Sequence, residues 1–203
     1  MTVAPDLASL IGSRICHDLI SPIGAIGNVV ELLLMDGGAR SPELALVSES
    51  VFNANARIRF FRVAFGAASR DQRIARHEVM AVLSDISRGG RLVYDWSTPA
   101  DLARNEVKLA LLGMLCLESA MAYGGRINVT ATETPEAPVH WTLRGEASKL
   151  RTDPALWTLL AAPQAPAELA PGQVHFALAP EEARRQGREI LTDLSETVIR
   201  ISF

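Results

Sequence analysis

Two consecutive stretches of this chain space their apolar residues at alternating steps of three and four, a spacing that a pair of packed helices satisfies. In the first stretch Ile15, Leu19, Pro22, Ile26, Val29 and Leu33 fall on one stripe of a helix. Asp36-Gly37-Gly38 then stops it. Ser41-Pro42-Glu43 opens the next, with a capping hydroxyl, proline at the first helical position and an acid near the positive end of the dipole. The second stripe comprises Leu44, Val47, Val51, Ala54, Ile58, Phe61 and Phe65. A short turn between two such helices makes an antiparallel hairpin. A lone hairpin leaves the flanks of both apolar faces in water, so the pattern predicts a four-helix bundle built by a homodimer.

The grammar changes after the polar stretch Ala68–Arg76, where we set a domain boundary: residues 1–70 form the helical hairpin and residues 71–203 a second unit. There His77–Ser87 reads as a helix, Arg91–Trp96 as a strand, and Leu102–Tyr123 as a long apolar helix closed by Gly124-Gly125. Arg126–Thr132 and Val139–Leu143 read as strands about the turn Thr134-Pro135-Glu136, and Ile190–Leu194 with Thr197–Ile201 as a final hairpin. Asp153–Ala161 and Glu181–Arg188 are expected to be short helices, and Pro163–Pro171 a surface loop. The fold class expected is therefore α+β.

The net charge of −3 and the scattered arginines give no basic footprint for nucleic acid. Residues Met1–Leu10 lack the basic-then-apolar pattern of a signal or anchor, so we expect a cytoplasmic protein without membrane contact. Cys16 and Cys116 have no ligand or disulfide spacing and are expected to be small buried side chains. His77, His140 and His175 are expected to be structural or incidental, since no pair has metal-ligand spacing, and Trp96, Trp141 and Trp157 to anchor the second core. We expect this chain to bind no metal or cofactor.

His17 is the residue that asks for chemistry. At ~100° per residue it sits nearly opposite the seam of its helix and should face solvent. Ser13, Arg14, Ser21, Gly24, Asn28 and Glu31 fall close to its side, a polar stripe suited to docking. Ile20 and Met35 add apolar anchors there, or pack on the other subunit's helices. An imidazole keeps one nitrogen unprotonated over much of the physiological range and so can accept a phosphoryl group. Asp18 can reach the ring from the flank, fix its tautomer and balance positive charge. Pro22 removes a backbone hydrogen bond just after the histidine and should bend the helix.

The run Cys16-His17-Asp18-Leu19-Ile20-Ser21-Pro22 resembles the H-box of two-component histidine kinases, and its extension to Asn28 more narrowly resembles the ChpT histidine phosphotransferases. The resemblance covers essentially the whole chain. It implies a homodimer in which the His17 of each hairpin takes phosphate from the receiver domain of a hybrid histidine kinase and passes it to a response regulator. The magnesium ion would then sit on the partner receiver. It further implies that residues 71–203 are a degenerate version of the α/β sandwich of kinase ATPase domains.

Two departures argue against ATP. The helical run Leu111–Ala120 carries no asparagine for magnesium and phosphates, and only Arg144-Gly145-Glu146 stands where an adenine-binding acid and glycines would be needed. No glycine-rich phosphate cradle follows. A histidine kinase with a divergent ATP site and a non-catalytic dimeric signalling scaffold stay open as alternatives.

Overall fold

A computed structural model describes residues 7–35, 41–69, 71–134, 137–161 and 169–203. The expected stop at Asp36-Gly37-Gly38, the turn residues Pro135-Glu136 and most of the Pro163–Pro171 loop lie outside the described residues. Helices α1 (Leu7–Met35) and α2 (Ser41–Ala64) form the hairpin. Its inner seam follows the first spacing pattern: Val29 is buried, and Ile15, Leu19, Pro22, Ile26 and Leu33 are half-buried. Pro22 lies inside α1, so position 22 offers no backbone N–H to the carbonyl of Asp18, one turn earlier.

On α2 the predicted stripe divides. Ala54 and Phe61 are buried, whereas Leu44, Val51 and Ile58 are exposed. The reason is that α2 serves two neighbours, α1 on one flank and the second unit on the other. Phe60, Phe61, Val63 and Ala64 belong to the same buried cluster as the second unit's core.

That unit has β1 (Arg73–Ala75), α3 (Arg76–Ser87), β2 (Leu92–Ser97), β3 (Asp101–Ala103), α4 (Arg104–Ala120), β4 (Gly125–Thr134), β5 (Ala137–Glu146), α5 (Pro154–Ala161), a single-turn 3-10 helix (Pro171–Gln173), α6 (His175–Arg185), β6 (Leu191–Leu194) and β7 (Val198–Ser202). The main sheet runs β2-β4-β5-β7-β6, with β2 parallel to β4 and every other pair antiparallel. It is an α+β structure with a mixed sheet, as expected. Alternation drives the layering: Ile127 and Val129, Trp141 and Leu143, Ile199 and Ile201 point to the helices, and the intervening Arg126, Asn128, Arg144 and Arg200 line the other face.

Helix α4 is the axis of this core, and almost every residue from Val107 to Leu117 is buried. Gly113 lets the sheet approach, because a Cβ there would stand 2.9 Å from Leu143 Cδ2. Gly124 and Gly125, at φ +92° and +147°, turn the chain from α4 into β4. Trp96, Trp141 and Trp157 are all buried, as expected of core anchors.

Three expectations are corrected. The long helix is shorter than Leu102–Tyr123, because Asp101–Ala103 pairs with Arg73–Ala75 in a small two-stranded sheet. The last helix begins at His175 rather than Glu181, with Pro180 accommodated inside it, and ends before Gly187 at φ +69°. Cys16 is exposed, since its place on α1 is turned away from α2, while Cys116 is buried as expected.

Candidate functional site

His17 stands on the exposed side of α1, with 86% of its side chain open to solvent. Its Nδ1 lies 3.3 Å from Asp18 Oδ1. A carboxylate can only accept, so the pairing puts the hydrogen on Nδ1 and leaves a lone pair on Nε2. Asp18 itself is 13% exposed and is held by more than the histidine: Arg14 Nε donates to its other oxygen at 3.0 Å, and Arg57 of α2 lies 3.9 Å from that same atom.

Of the stripe around His17, Ser13, Ile20, Ser21, Gly24, Asn28 and Glu31 are exposed, with Ile20 at 68%. Arg14 leaves the stripe. Its stem follows α1, but its guanidinium swings toward the second unit, where Nη1 donates to the Gly172 carbonyl at 2.7 Å, and only 17% of the side chain stays exposed. The side chain of Met35 lies outside the described residues.

Beside Asp18 a cleft of about 420 Å³ opens between the hairpin and the end of α3, lined by Ser21, Pro22, Arg57, Asp85 and Arg88 among others. Arg59 of α2 holds the α3 side through Asp85 at 2.6 Å. Behind this surface lie polar groups that sequence reasoning did not single out. Tyr94 donates to Glu118 Oε1 at 2.8 Å. Burial pushes the Glu118 carboxyl up, against the pull of the Tyr94 bond and of Arg57 and Arg14. Burial likewise pushes the Tyr94 phenol up. On the neighbouring flank of α4, Ser119 Oγ meets His175 Nε2 at 2.9 Å, and the same hydroxyl donates to the Leu115 carbonyl at 3.0 Å. Burial holds His175 down to about 3, so it is neutral, donating from Nε2 to the serine. A glutamate inside the apolar run Leu111–Ala120 was the one sequence signal for this layer, a local conflict of the kind that marks a polar network.

Among the described residues no group of three or more His, Cys, Asp or Glu could hold a metal ion, and no helix is long and apolar enough to cross a membrane. Arg144 and Glu146, from the segment compared with an adenine site, pair with each other on the face of β5 away from the helices.

The model for the histidine phosphotransferase C-terminal domain matches residues 76–198. The protein phosphotransferase ChpT of Brucella abortus is 36% identical over 179 residues, 86% of this chain and 85% of that protein. This chain belongs to the ChpT-like histidine phosphotransferase family. A bacterial phosphotransferase solved at 1.7 Å shares the fold along its whole length, with a TM-score of 0.83 and 32% identity over 100% of this chain and 98% of that one. Family membership supports phosphotransfer activity.

Proposed function

We propose that this protein shuttles phosphoryl groups between receiver-domain aspartates and His17, without using ATP. The observation that carries the reading is an imidazole that is almost fully exposed yet has its Nδ1 occupied by Asp18. The lone pair of Nε2 attacks the phosphorus of a receiver's aspartyl phosphate. The N–P bond forms as the P–O bond to aspartate breaks, and the receiver leaves with its carboxylate restored. Asp18 balances the positive charge left on the ring. The reverse reaction loads a second receiver. Phosphoryl transfer rests on positioning and charge neutralisation, and magnesium would come with the receiver.

The receiver docks over Ser13, Ile20, Ser21, Gly24, Asn28 and Glu31, with the cleft beside Asp18 at the margin. A transient partner needs only such a modest mixed surface. The protein acts as a homodimer. Cys16, Ile23 and Val30 on α1, and Leu44, Val51 and Ile58 on α2, are exposed. At ~100° per residue each set lies on the side of its helix away from the second unit. Two hairpins that bury these stripes against each other make a four-helix bundle.

Residues 71–203 are read as a kinase-like ATPase fold that no longer serves nucleotide. This is supported by the burial of every α4 residue from Leu109 to Leu117 and by Glu146, which pairs on the open sheet face instead of lining a pocket beside α4. The test is donor identity. The purified protein is offered a phosphorylated receiver domain or labelled ATP. Uptake from the receiver alone is expected, and uptake from ATP alone would replace this reading with a histidine kinase.

A further inference from the structure

We propose that Arg14 is a positioning residue through which the second unit sets the orientation of His17, an inference that rests on His17 being the phosphoacceptor. Arg14 and Asp18 lie one turn apart on α1. An exposed pair at that spacing contributes only a few tenths of a kcal/mol and holds its side chains loosely. This pair has a third member. While Arg14 Nε donates to Asp18 Oδ2 at 3.0 Å, its Nη1 donates to the Gly172 carbonyl at 2.7 Å. That carbonyl is a fixed point. The Pro171–Gln173 turn is closed by Gln173 N on the Ala170 carbonyl at 2.8 Å and by the Gln173 side chain on Ala170 N at 3.1 Å. Val174 and His175, which follow at once, are fully buried, and His175 is tied to Ser119 of α4.

The guanidinium is thus spanned between the second unit and one carboxylate oxygen, and the other oxygen takes the His17 Nδ1 hydrogen. Arg57 supplies a second charge, but at 3.9 Å and from a half-exposed side chain. Gly172 belongs to the device as well. A Cβ there would sit 3.5 Å from Arg14 Nη1, an ordinary contact, so it is the branches of a valine, reaching beyond that Cβ, that would press on the guanidinium without altering any charge. In this arrangement the second unit braces the acid that holds the histidine.

The full-length protein, labelled with nitrogen-15 histidine, is compared with Arg14→Gln, Arg14→Lys and Gly172→Val. Long-range proton–nitrogen spectra read the neutral tautomer of His17, and single-turnover assays read phosphoryl uptake from a receiver domain loaded with acetyl phosphate. Wild type is expected to show the Nδ1–H tautomer. Arg14→Gln and Gly172→Val should lose that preference and slow uptake roughly tenfold to a hundredfold, the scale of a small misplacement at a reacting atom. Arg14→Lys, which keeps the charge but lacks the separated, fixed donors of the guanidinium fork, should fall between. If Arg14→Gln does not fold, Gly172→Val decides. Folded variants that keep the Nδ1–H tautomer and wild-type uptake would overturn the proposal. If wild type takes no phosphoryl group from the receiver, the phosphotransfer reading fails, and the tautomer spectra still decide whether Arg14 acts on His17.

Discussion

His17 Nδ1 lies 3.3 Å from Asp18 Oδ1 while 86% of the histidine side chain faces solvent, so the ring is oriented by one edge and offered by the other. Orientation by a carboxylate is useful only if the carboxylate is itself held, and the contacts to Arg14 and Arg57 hold it.

Asp18→Asn should therefore lower the rate of phosphoryl uptake by about 100-fold while leaving the melting temperature within a few degrees. The amide can still accept from Nδ1, but it carries no charge against the developing imidazolium. Single-turnover kinetics beside a thermal melt measure both.

Glu118→Gln should stabilise the protein at neutral pH. Because burial raises the folded-state value of Glu118, the fold prefers the protonated acid. Its favourable contribution is complete below the unfolded value of ~4.3 and is lost as pH rises through the raised folded value. Glutamine keeps an acceptor for Tyr94 and removes the charge that faces Arg57, Arg14 and Asp18. The expected result is a melting temperature a few degrees higher at pH 7.5 and little change at pH 4.

His175 acts in the opposite sense. Held down to about 3, it is preferred neutral by the fold. Its contribution is present above the unfolded value of ~6.5 and declines below it by up to about 1.4 kcal/mol per pH unit until the folded value is reached. Urea midpoints at pH 7.5, 5.5 and 4.5 should fall in that order, and His175→Gln should flatten the trend.

Gly113→Ala tests the contact of α4 with the sheet. The added methyl would meet Leu143 Cδ2, the end of a fully buried side chain, at 2.9 Å; an overpacking cost of about 1–3 kcal/mol is set against the ~1 kcal/mol that alanine gains over glycine inside a helix, so a net loss of up to about 2 kcal/mol is expected by denaturant titration.

Val51→Glu tests the proposed bundle. Val51 is exposed on the α2 stripe and remote from the core, so the change should leave the circular dichroism intact and convert dimer to monomer by light scattering. An unchanged dimer would place the subunit interface elsewhere.

How far these features could be read from the chain depended on their length. The hairpin is legible because α1 and α2 are long enough for a three-four repeat to accumulate, and the same periodicity turns His17 outward. The sheet was legible from alternation, as in Arg126–Thr132, but β1 and β3 were not, since three-residue strands carry no period. Pro180 disguised the start of α6 at His175. In the site, helical angle placed Arg14 on the histidine's side and could not foresee the long side chain crossing to Gly172, a partner 158 residues away. Cys16 was expected to be buried, because apolar neighbours in sequence do not reveal which flank of a helix has a partner within one chain.

The central claim is that His17 carries a phosphoryl group between receivers. The most direct measurement is a two-step transfer, in which a phosphorylated receiver is mixed with wild type or His17→Ala and a fresh response regulator is then added. The account predicts acid-labile label on wild type alone, located at His17 by mass spectrometry and then passed on to the regulator. Label that persists on His17→Ala, or no label on wild type from a broad panel of receivers, would contradict it.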